Sequence, residues 1–295
     1  MKHRFLLFLS MACLWSACDI INPEEGVPAY LEIQPFQLTT QFEQGTSSSK
    51  ITEGWVYIND TYLGTYSLPT TIPVLAEGET KITVFPGIRD NGSSTTPDIY
   101  TFYKRYEVTL DLQPDVTTEV LPRTTYEDNA KFRLVEAFES VGHAMRADLD
   151  ENSATNVVIS QADAFEGNSS GRITLTRQDS FIVVGTNPLV EFPQSGGTAY
   201  VELDYKNDVR MALLLIGLDS RGEVVFQSEF NRIINPRETW NKIYLNFTLD
   251  FRNMEIQRNV ASYQLMLRSI IPSENGRLIL DEADIYLDNL KIIHF

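Results

Sequence analysis

The chain is short of the residues that build catalytic centres. It holds two cysteines and three histidines among 295 residues. His3 lies in the N-terminal segment, and neither His143 nor His294 has a histidine or cysteine at metal-ligand spacing, which argues against a catalytic zinc site. Cys13 and Cys18 both fall near the N-terminus, so the remainder can carry neither an intrachain disulfide nor a thiolate metal cluster. No G-x-S-x-G nucleophile turn, P-loop or dinucleotide fingerprint occurs. Acids are plentiful, so counting alone does not exclude a glycosidase carboxylate pair, but nothing marks a cleft to hold one. The chain therefore reads as a non-enzyme. Basic residues are also scarce: 24 Lys and Arg face 40 Asp and Glu, a net charge of −16. Such a surface disfavours nucleic acid and anionic headgroups. Beyond the N-terminal segment no apolar run approaches the roughly 18 residues of a membrane helix, and the longest, Met211 to Leu218, is strand-sized.

What is present begins with an export signal. Lys2 and Arg4 give a basic start, Phe5 to Trp15 an apolar stretch, and Ser16-Ala17 the small residues before Cys18. Leu14-Trp15-Ser16-Ala17-Cys18 resembles a lipobox, although Trp15 is an unusual occupant; Cys13 is a weaker candidate. The resemblance implies cleavage after residue 17, acylation of Cys18 and attachment to a membrane. Asp19-Ile20-Ile21-Asn22-Pro23-Glu24-Glu25 resembles the acidic tethers of Bacteroidota surface lipoproteins, which implies an outer-membrane, cell-surface location. Residues 1–17 are thus expected to be a signal peptide and 18–28 a tether too acidic and too short to fold alone. Loss of Lys2 and Arg4 leaves 22 basic residues against 40 acidic ones, a net charge of −18.

The remaining length suits two domains, 29–125 and 131–295, joined by a polar linker around Thr124 to Asn129. Strand signals fill the first. Trp55-Val56-Tyr57-Ile58 and Tyr62 to Tyr66 flank Asn59-Asp60, two residues that tolerate the positive φ of a tight hairpin. Lys81 to Phe85 is a further strand, with Pro86-Gly87 expected to end it. From Tyr100 to Leu112 the alternation predicts one long half-buried strand, with Lys104 the single mismatch. Gly87 to Pro97 is a long polar loop of the kind that often carries function; the plain alternative is a flexible hairpin tip. Val56-Tyr57-Ile58-Asn59-Asp60, Leu63-Gly64-Thr65, Pro69-Thr70, Ile72 and Glu77-Gly78-Glu79 before Ile82-Thr83-Val84 resemble a PEGA-type repeat. That resemblance implies a small immunoglobulin-like sandwich serving as spacer or contact module.

In the second domain, short strands at 157–160, 172–176, 181–184, 189–192, 200–205, 210–218, 223–228, 239–247, 263–271, 277–280 and 285–293 predict a β-sandwich. Short helical turns are expected only within 139–151 and 250–259. Phe138-Glu139, Glu166 to Arg172, Tyr200 to Lys206, Trp240 to Leu245 and Ile285 to Ile292 together resemble the galactose-binding-like jelly rolls of carbohydrate-binding modules. The expected fold class is all-β: a small immunoglobulin-like, PEGA-like sandwich followed by a jelly-roll β-sandwich.

Two constellations follow. The jelly-roll resemblance implies a possible structural calcium where the first strand meets the last, at Glu139 and Asp288, since calcium takes hard oxygen ligands; the plain alternative is that both acids cap turns. Alternation supplies the other. With Val201, Leu203, Ile243 and Leu245 facing inward, Glu202, Asp204, Trp240 and Tyr244 face outward. Rings that stack on sugar faces beside carboxylates that accept hydroxyl protons are a candidate glycan face; the alternative is that Trp240 covers a sheet edge beside a solvated charged face. The functions in contention are a non-catalytic surface lipoprotein presenting a glycan-binding jelly roll and an assembly lipoprotein that binds an envelope protein. An open ring face favours the first, and burial of the rings against the other domain favours the second.

Overall fold

The structure is a computed structural model describing residues 26–193, 197–228, 232–257 and 259–295. Cys18 and most of the tether lie outside the described residues. The protein is all-β, and among the described residues Thr248–Ile256 is the one α-helix.

The N-terminal unit packs a five-stranded sheet on a three-stranded one. In the first sheet Glu53–Ile58 lies between Thr61–Ser67 and Gly78–Arg89, and Gly78–Arg89 also pairs with Pro97–Ile99 and Tyr106–Leu112. In the second, Ala29–Ile33 pairs antiparallel with Thr70–Val74 and parallel with Thr117–Val120. The hairpin turn is where the sequence puts it: Asn59 and Asp60 have φ of 48° and 64°. This is the mirror-image turn whose twist matches paired strands. Pro86-Gly87 does not end its strand. Gly87 stays paired with Glu53, and a Cβ on it would stand 2.1 Å from the Trp55 ring, so glycine serves here as the floor under an indole. The long strand expected from Tyr100 starts only at Tyr106. Residues 100–103 turn instead, with Tyr103 N donating to Tyr100 O at 3.0 Å, and this irregular path accounts for the Lys104 mismatch.

The second unit is a sandwich of two six-stranded sheets. One sheet runs Val158–Ser160, Ser170–Thr176, Glu282–His294, Ala199–Asn207, Arg237–Asn246, with Lys131–Glu136 also on Glu282–His294. The other runs Ala147–Asp148, Phe181–Gly185, Ser262–Ile270, Met211–Leu218, Val224–Gln227, with Arg232–Ile234 also on Met211–Leu218. Between them lie Val201, Leu203, Leu213, Leu215, Ile243, Leu245, Leu265, Leu267, Ile285 and Ile292, all buried. Burial of this kind contributes roughly 1.5–3 kcal/mol per large aliphatic side chain. Residues 189–192 make only an isolated bridge at Leu189; Pro188 and Pro193 on either side cannot donate to a ladder. The 139–151 stretch holds no helix, and the helical turn expected within 250–259 falls in the Thr248–Ile256 helix, which ends at Ile256.

Candidate functional site

The 282–294 strand carries a bulge at Asp288-Asn289, where Asn289 has φ of 47°. Leu287 and Leu290, three apart, both point into the core, and the phase of the strand shifts by one residue. Tyr286, Lys291 and Ile293 therefore stand on the outer face of the sheet. That face also receives Tyr200, Glu202, Asp204 and Lys206 from one neighbouring strand and Trp240, Lys242, Tyr244 and Asn246 from the next.

The N-terminal unit closes one half of this face. Tyr200, Tyr244 and Ile293 join its hydrophobic cluster with Tyr100, Phe102, Tyr103 and Tyr126. Glu202 is 0 % exposed and accepts from Tyr100 Oη at 2.8 Å and from Tyr126 Oη at 3.0 Å, with Lys242 Nζ at 3.4 Å. Asp204, equally buried, accepts from Ser48 Oγ at 2.6 Å and Asn289 Nδ2 at 3.1 Å. Lys50 N donates to Tyr244 Oη at 2.9 Å, and Lys291 Nζ donates to Thr46 O at 2.8 Å. Burial outweighs the attraction of Glu202 and lowers the Lys291 ammonium to about 8. Burial likewise raises the phenols of Tyr100, Tyr103, Tyr126 and Tyr244 well above their ordinary value, the Glu202 charge adding to it.

Of the four residues expected to form an open ligand face, Tyr244, Glu202 and Asp204 do stand together outside the sandwich core, but they are covered by the other domain. This corrects the open-face expectation at those three positions. The polar loop expected at Gly87 to Pro97 is a docked hairpin tip: Asn91 N donates to Tyr244 O at 2.9 Å, and Asn246 N donates to Asn91 Oδ1 at 2.9 Å. The tip thereby covers the free edge of the 237–246 strand.

Trp240, half-buried, stands on the half that the N-terminal unit does not cover. Its ring lies 5.9 Å from that of Phe165 and 6.2 Å from that of Tyr286. Trp240 Nε1 donates to Asp163 Oδ1 at 2.8 Å, and Lys206 Nζ donates to Asp163 Oδ2 at 2.5 Å. The Lys206 hydrogen bond, followed by that from Trp240, holds the Asp163 carboxyl below its usual range. Lys206 Nζ also lies 5.4 Å from the Tyr286 ring centre, and Arg172 forms a two-point pair with Asp284 at 2.9 and 2.6 Å on the same face. Phe165, Tyr286, Asp163 and Lys206 were not singled out from the sequence as partners of Trp240. Tyr286 was legible, since Ile285 and Leu287 alternate around it; Phe165, in an irregular loop, was not.

Glu139 and Asp288 meet on one loop. Glu139 Oε1 accepts from Asn168 N and Ser169 N at 2.8 and 3.1 Å, and Asp288 Oδ2 accepts from Phe165 N and Glu166 N at 3.1 and 3.2 Å. Asp288 Oδ1 accepts from Asn289 N at 2.8 Å. Backbone N–H bonds, chiefly those of Asn168 and Ser169, lower the Glu139 carboxyl. Burial raises that of Asp288 to about 6 despite its three N–H partners. Calcium requires oxygen ligands with free lone pairs. These acids instead point at N–H donors, and no cluster of three His, Cys, Asp or Glu side chains occurs among the described residues. As placed, both carboxylates cap the 163–170 loop.

No protein-family model matches the sequence, and no curated protein is similar to it. Among solved structures, the chain is similar to the CBM22-1 xylan-binding domain of Paenibacillus barcinonensis Xyn10C, at 14% identity over 56% of this chain and 95% of that one, with a TM-score of 0.38. It is similar to TmCBM61, solved with β-1,4-galactotriose, at 12% identity over 56% and 99% of the two chains, TM-score 0.32. A carbohydrate-binding module of the β-sandwich superfamily covers more of it, 81% of this chain and 84% of its own, at 15% identity and a TM-score of 0.39.

Proposed function

We propose that this chain is a non-catalytic surface lipoprotein, acylated at Cys18 and held at the outer membrane, whose second sandwich presents a glycan-binding face. The observation that carries the glycan reading is the part of the outer sheet the first sandwich leaves uncovered, where half-buried Trp240 and exposed Phe165 stand with a buried Tyr286 beside Asp163 and Lys206. Pyranose rings offer apolar C–H faces to aromatic side chains and hydroxyls to carboxylates and ammonium groups, and this patch has both. The Trp240 indole is fixed by Asp163 and the Asp163 carboxylate by Lys206, so the face is ordered before a ligand arrives. The first sandwich acts as a pedestal, because its contact with the second buries charges that a loose linker would leave in water.

A glycan array on the soluble 29–295 form, wild type beside Trp240→Ala, tests this. The wild type is expected to retain defined glycans and the variant to lose them. A stacked ring contributes about 1–3 kcal/mol, by analogy with bases on aromatic side chains. Loss of the cooperative melt in Trp240→Ala would make Trp240 a packing residue, and equal retention by both forms would remove the ring face from the function.

A further inference from the structure

Where the two units meet at the other end of the 237–246 strand, they leave a groove of about 800 Å³ lined by both. Asp90, Asp98 and Ile99 come from the first unit; Ile233, Asn246 and Leu249 come from the second. The docked tip fixes its shape, since Asn91 bonds to Tyr244 and Asn246 across the seam at 2.9 Å each. Ile233 and Leu249 are 61 % and 57 % exposed, so the rim is apolar. Arg232 also lines the groove, but its guanidinium is engaged by the Asp250 carboxylate and by Asn246 O at 2.6 Å. The negative charge in the groove beyond that pair is that of Asp98 and of Asp90, whose carboxylate also takes the Tyr200 hydroxyl and the Asn246 amide. Burial, with a smaller push from Asp98, holds the Asp90 carboxyl above its ordinary value.

We propose that this groove receives a lysine side chain carried on an extended segment of a partner protein. The ammonium meets Asp90 and Asp98, and the lysine stem and a neighbouring apolar residue lie against Ile99, Ile233 and Leu249. Lysine suits the site better than arginine. The two acids stand on the two arms of one hairpin as separate carboxylates, whereas a compact ammonium on a four-carbon stem needs only nearby negative charge and an apolar wall. The chain's net charge of −16 also steers a basic partner toward it. The site is separate from the ring face: Trp240 and Asn246 lie six residues apart on one strand, about 20 Å at the usual rise.

Titration calorimetry on the protein, with the peptide acetyl-Ile-Lys-Leu-amide as probe, tests the proposal. Saturable binding is expected, weakened about tenfold or more when the lysine is Nε-acetylated, because a charge-assisted contact is lost. Asp98→Asn, at an exposed position whose Oδ1 only caps the Ile99 N–H, should weaken binding to a similar degree with an unchanged melting temperature. Raising the salt concentration should weaken it too. Equal affinity for the acetylated peptide would overturn the proposal, and so would no binding of either peptide. Binding of 1,5-diaminopentane without binding of the peptide would also overturn it, by making the groove a site for free amines.

Discussion

Glu202 is the residue whose removal says most about this molecule, because it is invisible as a contact unless the two sandwiches close on each other. Its carboxylate is the common acceptor for Tyr100 and Tyr126 from the first unit and lies 3.4 Å from Lys242 in the second. Glu202→Ala strips all three at once. Two buried hydroxyls lose an acceptor, at about 1–3 kcal/mol each, and Lys242 keeps only Asp204, at 3.5 Å. Removing one member of a buried ion pair costs about 3–5 kcal/mol. These costs overlap, so the expected loss is roughly 3–5 kcal/mol in total, not their sum. For a chain of this size about 1 kcal/mol corresponds to 2–4 °C, which puts the drop in melting temperature at roughly 6–20 °C.

Thermal and urea melts of the 29–295 form would measure it. A pairwise cycle between Tyr100→Phe and Glu202→Gln isolates the contact across the seam, with a coupling of about 0.5–3 kcal/mol expected for bonded partners. If Glu202→Ala melts within about 0.5 kcal/mol of the wild type, as an exposed substitution does, the seam is not closed in solution and Glu202 is not buried there.

Other expectations concern pH and metal. Lys291 titrates near 8 in the folded protein, against about 10.4 for a free lysine. Below pH 8 both states carry the charge, and the penalty for burying it is fully present. Between pH 8 and about 10 only the unfolded chain holds the proton, so stability should rise with pH, by at most about 3 kcal/mol. The buried tyrosines keep their protons when unfolded phenols lose theirs, so folding should bind protons and stability should fall again above about pH 10. Lys291→Met should remove the rise, and a profile that stays flat from pH 8 to 10 in the wild type would refute it. Because Glu139 and Asp288 hold backbone N–H groups, EDTA should leave the melting temperature unchanged. A chelator-dependent drop would show that a cation takes over those oxygens.

Much of the fold was legible because period-two alternation reports which side chains leave a sandwich core. Val201, Leu203, Ile243 and Leu245 are inside, with Glu202, Asp204, Trp240 and Tyr244 outside, as their spacing requires. Alternation does not report what lies beyond the sheet. Whether an outward carboxylate meets water or the phenols of Tyr100 and Tyr126 depends on contacts about 75–100 residues distant in sequence, and local pattern carries no such information. One clue was present. Lys104 broke the apolar face of its supposed strand, and the chain does leave strand geometry there, which turns Tyr100, Phe102 and Tyr103 into the seam. The bulge at Asp288-Asn289 had no comparable mark, so neither the outward placement of Lys291 nor the capping of the 163–170 loop could be read.

A seam of Glu202, Asp204, Lys242 and Lys291 is an unusual way to hold two domains together, since burying four charges gains little stability over packing leucines and methionines of similar volume. Its advantage lies in placement. An apolar seam tolerates sliding, whereas Glu202, Asp204 Oδ2 and Lys291 meet Tyr100, Ser48, Thr46 and Tyr126 in one relative orientation. That orientation also determines where the ring face and the groove point relative to residue 29, where the first strand begins. Replacing all four charges together by leucine or methionine should therefore melt no lower than the single Glu202→Ala, because no charge is left buried and unpaired. It should nonetheless broaden the distribution of interdomain distances, measured by paired spin labels on exposed positions of the two units such as Tyr62 and Ile279. A quadruple variant that melts below the single one would show that the charges supply stability outright. A quadruple variant with an unchanged, narrow distance distribution would show that shape alone sets the orientation.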